Sequence, residues 1–322
     1  MPEAGAMKLR RLGRSALQVP PLCFGCNVFG WTADEATSFA LLDALLERGV
    51  NFLDTADVYS RWAPGHQGGE SEAVIGRWMK ARGNRDRVIL ATKVGMDMGE
   101  GRVGLKPAYI AEAVEASLTR LGTDYIDLYQ SHKDDPETPQ AETLGAFQRL
   151  IEAGKVRAVG ASNFSADRLG EALAIAEREN LPRYESLQPE YNLYDRSGFE
   201  GPLKTVCREN EVGVITFFSL AAGFLTGKYR SEADLGKSPR GSRNIPKYMN
   251  ERGTRILSAL DEVATAKAAE PASVALAWLM AKPAVTAPIA SATSLRQLET
   301  LLTAAELTLS DAEVRLLDEA GG

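Results

Sequence analysis

Short apolar runs recur along the chain, separated by longer stretches in which apolar and polar positions alternate with a helical period. The runs cover residues 21–25, 51–54, 88–92, 125–130, 157–161, 184–188, 213–217 and 285–289. Each is too short for a helix and reads as a strand. The stretches between them, 35–48, 71–82, 107–121, 141–153, 165–180 and 202–210, read as amphipathic helices. In 107–121, Ile110, Val114, Leu118 and Leu121 fall on one face, and Gly122 follows as a stop signal. Eight strands alternating with helices predict an α/β fold, a closed (β/α)8 TIM barrel. An open, doubly wound sheet built from the same units is the alternative.

Three segments depart from the alternation. Residues 7–20, "MKLRRLGRSALQVP", read as a β-hairpin with Gly13 and Arg14 at its turn, placed to plug the bottom of a barrel. Residues 219–249 form a long, glycine-containing connection of the kind that usually carries function. A helix beginning near Ser294 is followed by an additional C-terminal helix, 311–320, capped by Ser310. No linker divides the chain, so residues 1–322 are expected to form one domain.

Composition narrows the function. At 44% hydrophobic and 25% charged residues, the chain can bury a large core. Its net charge of -6 argues against nucleic acid as a partner. No run approaches the roughly 18 apolar residues of a membrane span, and the N-terminus carries no signal-type stretch, so a cytoplasmic location is expected. Cys23 and Cys26 form a Cys-x-x-Cys spacing, but it closes an apolar run instead of opening a helix, which disfavours redox chemistry. The two histidines, His66 and His132, lack partners at ligand spacing, so no metal is expected. His66, in "RWAPGHQGGESE", is expected to be exposed to solvent.

In a (β/α)8 barrel the C-terminal strand ends converge on one face. Asp54 ends the second run, Lys93 follows the third and His132 follows the fourth, while Tyr59 lies on the loop after Asp54. A phenol has a reference pKa of about 10, and a neighbouring ammonium lowers it. Lys93 is expected to act on Tyr59 in this way, with Asp54 holding the lysine and His132 orienting a substrate oxygen or relaying a proton. A lysine at this position also suits an aldolase or isomerase barrel.

At these residues the chain resembles the single-domain barrels of bacterial aldo-keto reductases. The matching segments are "GVNFLDTADVY", "LATK", "DYIDLYQSHKDD", "GKVRAVGASNFS", "QPEYNLYDR", "FFSLAAGFLTGKY" and "SLRQL", in order over nearly the whole chain. The resemblance implies Asp54, Tyr59, Lys93 and His132 as a catalytic tetrad and a nicotinamide cofactor at the C-terminal face. It places Ser162, Asn163 and Gln188 at the carboxamide and Phe217 against the ring. Cys26, Asn27 and Asp54 would also line that site, with Phe218, Ser219, Leu220, Gly223 and Lys228 near the pyrophosphate. Ser291, Thr293 and Gln297 would lie at the adenosine end.

The basic excess of residues 219–249 suggests a phosphate-rich ligand, with Arg240 or Arg243 reaching a 2'-phosphate. NADP(H) is therefore expected, with NAD(H) possible. Ser291 stands where the family commonly has glycine or lysine, and Leu301 replaces a common asparagine; Arg296 offers compensation. Phe218 and Ser219 occupy places more often held by serine and proline. Phe29, Trp31, Arg61 and Trp62 are expected to line an apolar vestibule suited to a bulky, cyclic or sugar-derived carbonyl substrate. The rival is a cofactor-binding regulatory subunit of the same fold with little turnover.

Overall fold

The computed structural model describes residues 7–238 and 241–322. An antiparallel hairpin, β1 (Arg10–Arg11) and β2 (Gln18–Val19), precedes eight parallel strands. These are β3 (Cys23–Gly25), β4 (Phe52–Asp54), β5 (Ile89–Val94), β6 (Ile126–Ser131), β7 (Val156–Ser162), β8 (Tyr184–Gln188), β9 (Gly213–Thr216) and β10 (Val285–Ala290). Each strand pairs with the next, and β10 pairs with β3 to close the barrel. The expected closed barrel is the observed fold, and the open sheet is excluded.

The helices α1 (Glu35–Glu47), α2 (Glu70–Arg82), α3 (Pro107–Leu121), α4 (Gln140–Glu152), α5 (Ala166–Glu179) and α6 (Pro202–Glu209) lie where the pattern predicts them. The α3 residues singled out by their spacing are all buried, and Gly122 ends the helix with φ +61°. Residues 219–249 hold short 3-10 turns and α7 (Gly241–Asn244). Two further helices, α8 (Glu251–Lys267) and α9 (Pro271–Ala281), were not marked by the strand-and-helix pattern. In α9, residues from Ala272 to Leu279 are all buried, so no polar face reveals the helical period. α10 (Leu295–Glu306) and the additional C-terminal helix α11 (Asp311–Gly321) start at Ser294 and Ser310, whose side chains cap them. Among the described residues no helix is long and apolar enough to cross a membrane.

Inside the barrel, Phe52, Ala91, Leu128, Ala158, Ile215 and Ala287 form a small apolar core, which Leu12 and Val19 of the hairpin seal from below. Side chains alternate across a strand, so the next inward positions are Asp54 after Phe52, Lys93 after Ala91 and Gln130 after Leu128. The interior thus changes from apolar to polar within one step, and that step sets the floor of the site.

Candidate active site

Register brings the polar layer together: Asp54 lies opposite Ala91, Lys93 opposite Gln130, and Ser162 opposite Gln188. Lys93 is fully buried, and its ammonium donates to Asp54 Oδ2 at 2.6 Å, the Thr55 carbonyl at 2.8 Å and Tyr59 Oη at 2.8 Å. All three of its hydrogens are thereby used. Asp54 also accepts from Gln188 Nε2 at 2.9 Å and Gln130 Nε2 at 3.2 Å, with the Tyr59 hydroxyl at 3.4 Å. The Tyr59 ring meets His132 edge-on, with centroids 5.9 Å apart.

The electrostatics follow from burial. For Lys93, burial works against the charged form, but Asp54 and Tyr59 more than reverse it and hold the pKa above the usual lysine range. For Tyr59, burial outweighs the help of Lys93 and pushes the phenol above its ordinary value. Lys93 does lower this pKa, as expected, but burial outweighs it and the net shift is upward. Asp54, ion-paired with the lysine, opposes part of the lysine's effect on the phenol. Burial, and then Lys93, hold His132 well below the usual 6.5, so its imidazole is neutral.

A continuous cavity of about 1080 Å³ opens over these groups. Asp54, Tyr59, His132, Trp31 and Trp62 line it near the polar layer. Trp62 stands edge-on to both Trp31 and Tyr59, at 5.6 Å and 5.9 Å between centroids. Asn27, Ser162, Asn163, Gln188 and Phe217 also face the cavity. Ser162 donates to the Gln188 carbonyl at 2.9 Å, while Asn163 Nδ2 donates to Ser162 Oγ and to the His132 carbonyl. Phe218, Ser219, Leu220, Gly223 and Lys228 continue the lining, as do Ser291, Thr293, Arg296 and Gln297. Ser291 and Asn27 are joined by a 2.6 Å hydrogen bond. Above Gly25 there is no room for a side chain, because a Cβ there would lie 2.7 Å from Ser291 Oγ.

Several expected residues lie elsewhere. Cys26 is buried off the cavity, its carbonyl accepting from Ser71. Cys23 and Cys26 are free, and burial raises both thiols well above their usual range. Phe29 is wholly buried and packs on Phe24, with centroids 5.8 Å apart. Arg61 is turned to the Asp97 carbonyl at 2.9 Å and does not line the cavity. Arg243 is exposed on α7 and is likewise absent from the lining, while Arg240 lies outside the described residues. Part of the basic excess in residues 219–249 is spent on carboxylates: Arg230 pairs with Asp261 at 2.7 Å, and Lys247 lies 3.7 Å and 3.6 Å from Glu190 and Asp195. Lys228 and Lys237 lie on the cavity, Lys237 being paired with Asp234 at 2.7 Å. His66 is half-buried, not exposed, and its enclosed Nδ1 has no hydrogen-bond partner among the described residues.

Gln130 and Glu270 are among the residues of the site that escaped the sequence reading. Gln130 was legible in principle, lying two residues before His132 on the same inward face. Glu270 lines the cavity just before α9 and carried no signal.

A family model described as "Aldo/keto reductase family" matches residues 21–321. The chain is 35% identical to the "Uncharacterized oxidoreductase YrpG" of Bacillus subtilis, over 97% of this chain and 95% of the relative. It is 33% identical to "Aldo-keto reductase yakc [NADP(+)]" of Schizosaccharomyces pombe, over 97% and 90%. It is 31% identical to "Protein tas" of Escherichia coli, over 95% of each.

Proposed function

We propose, from the premise that the chain belongs to the aldo/keto reductase family, that it reversibly reduces an aldehyde or ketone with NADPH, Tyr59 supplying the proton. The observation that carries this reading is the Lys93 contact to Tyr59 Oη at 2.8 Å, made by a lysine held on Asp54.

The lining fits a nicotinamide dinucleotide. Gln188 spends both amide hydrogens on Asp54 and Gln130, which leaves its side-chain oxygen to accept from a carboxamide. Asn163 likewise spends its hydrogens on His132 and Ser162. The half-buried Phe217 offers a ring face, and Lys228, Arg296 and Lys237, the last already paired with Asp234, offer charge for phosphates. These three cations support NADPH over NADH, as does the NADP(+) in the name of the yakc relative. When bound, the nicotinamide supplies the hydride.

The remaining chemistry belongs to this chain. Lys93 donates to the Tyr59 oxygen, and the phenol's own donation to Asp54 is long at 3.4 Å, so a substrate oxygen in the cavity takes that hydrogen over. Its raised pKa keeps Tyr59 protonated at working pH. As negative charge develops on the substrate oxygen, Tyr59 releases its proton, and Lys93 stabilises the phenolate. Neutral His132 donates a hydrogen bond to the same oxygen. Trp31 and Trp62 exclude water and suit a ring-bearing or otherwise bulky carbonyl compound. Tyr59→Phe is the test: turnover falls by about 10²–10⁴-fold while NADPH binding is retained. Reductase rates close to wild type in that variant would refute the assignment.

A further inference from the structure

On the face of β5 turned away from Lys93, two buried carboxyls share a layer between the barrel and its helices. Thr92 precedes Lys93, points outward, and donates to Glu72 Oε1 at 2.6 Å. Glu72 is wholly buried, and its Oε2 accepts from Arg120 Nε at 2.7 Å. Asp57, 2% exposed, lies on the turn between Asp54 and Tyr59, and its amide reaches the Lys93 carbonyl at 3.4 Å. Asp57 Oδ1 and the Tyr129 hydroxyl are both enclosed without a hydrogen-bond partner among the described residues.

The titratable groups acting on this chamber are Glu72 on α2, Arg120 and Tyr109 on α3, Lys93 on β5 and Tyr129 on β6. Both cations are already engaged, Arg120 with Glu72 and Lys93 with Asp54. An ionised Asp57 would therefore add a second buried negative charge with no counter-ion of its own. Burial first, and then Glu72, raise the Asp57 carboxyl to about 8.

We propose that Asp57 is a positioning residue for Tyr59: seated as a neutral acid beside Glu72, it keeps the 55–59 turn on β5, and loss of its proton to solvent shifts that turn and draws Tyr59 away from Lys93. The proposal rests on the reading of Tyr59 as proton donor. It predicts an alkaline decline in activity that belongs to neither Tyr59, whose pKa is raised, nor Lys93, which stays charged.

The test compares the wild type with Asp57→Asn and Glu72→Gln at saturating NADPH and aldehyde between about pH 7 and pH 9. Wild-type kcat falls roughly tenfold around a midpoint near 8. In Asp57→Asn, which is neutral at every pH, kcat at the two ends agrees within about twofold, whereas a merely structural role would leave the decline in place. In Glu72→Gln the midpoint moves to lower pH, because the neighbouring negative charge is gone. A wild-type decline that persists in Asp57→Asn, or a midpoint unmoved in Glu72→Gln, overturns the proposal, and the second variant decides should the first not fold. Infrared spectroscopy supplies a readout independent of turnover: a protonated-carboxyl C=O band at neutral pH that Asp57→Asn lacks. A protein without that wild-type band contradicts the inference about Asp57, while an absence of turnover on every carbonyl contradicts the proposed function instead.

Discussion

Asp54 accepts hydrogen bonds from Lys93, Gln188, Gln130 and Tyr59, so one buried carboxylate joins four strands or loops of the site. Its pairing with Lys93, both side chains at most 1% exposed, offsets the cost of burying either charge. Asp54→Asn leaves the lysine charge uncompensated in a dry interior. We expect a loss of roughly 3–5 kcal/mol in stability, measured by urea unfolding, together with lost turnover; a stability change below about 1 kcal/mol would show that the pair is better solvated than its burial indicates. Asp54, Lys93 and His132 were legible as candidates because strand direction fixes where an inward side chain at a strand end must lie. Phe29 and Arg61 were misjudged because loop side chains take their direction from local turns. Phe29 turns into the core, and Arg61 turns to a neighbouring carbonyl, neither of which a one-dimensional pattern records. The sign of the Tyr59 shift also depended on three dimensions, since only the structure shows how fully the phenol is buried.

At the scale of elements, the hairpin below the barrel is held by a tight turn. Gly13 has φ +59°, and a Cβ there would lie 2.1 Å from the Glu185 carbonyl oxygen, so the turn must press directly onto the start of β8. Gly13→Ala combines a left-handed backbone with that collision and is expected to cost about 1–3 kcal/mol or more, read as a lowered thermal midpoint with NADPH binding retained in the folded fraction. An unchanged midpoint would mean that the hairpin does not seal the barrel. The strands were legible because short apolar runs between helical stretches have few other interpretations. The α8 and α9 pair was not, although Asn250 caps α8 by accepting from the Gly253 amide. A helix buried on all sides loses the period that marks it, and the pattern of strands drew no attention to a connection without one.

At the scale of the whole molecule, a chain of net charge -6 places Lys228, Lys237 and Arg296 along one cavity that begins at Tyr59. Arg230 and Lys247, which the composition of residues 219–249 could not distinguish from these, are paired with carboxylates, and Lys237 on the cavity is itself paired with Asp234. Local basic excess thus overstated the cations available to a ligand, while the cavity itself connects its cationic lining to the polar layer at Tyr59. The most direct test of the account is to titrate the protein with NADPH and NADH by fluorescence, and then follow oxidation of the bound nucleotide on mixing with a panel of aldehydes and cyclic ketones. The account predicts tighter binding of NADPH and its oxidation by at least one ring-bearing carbonyl compound. Binding without oxidation across the whole panel, or no binding of either nucleotide, would contradict it.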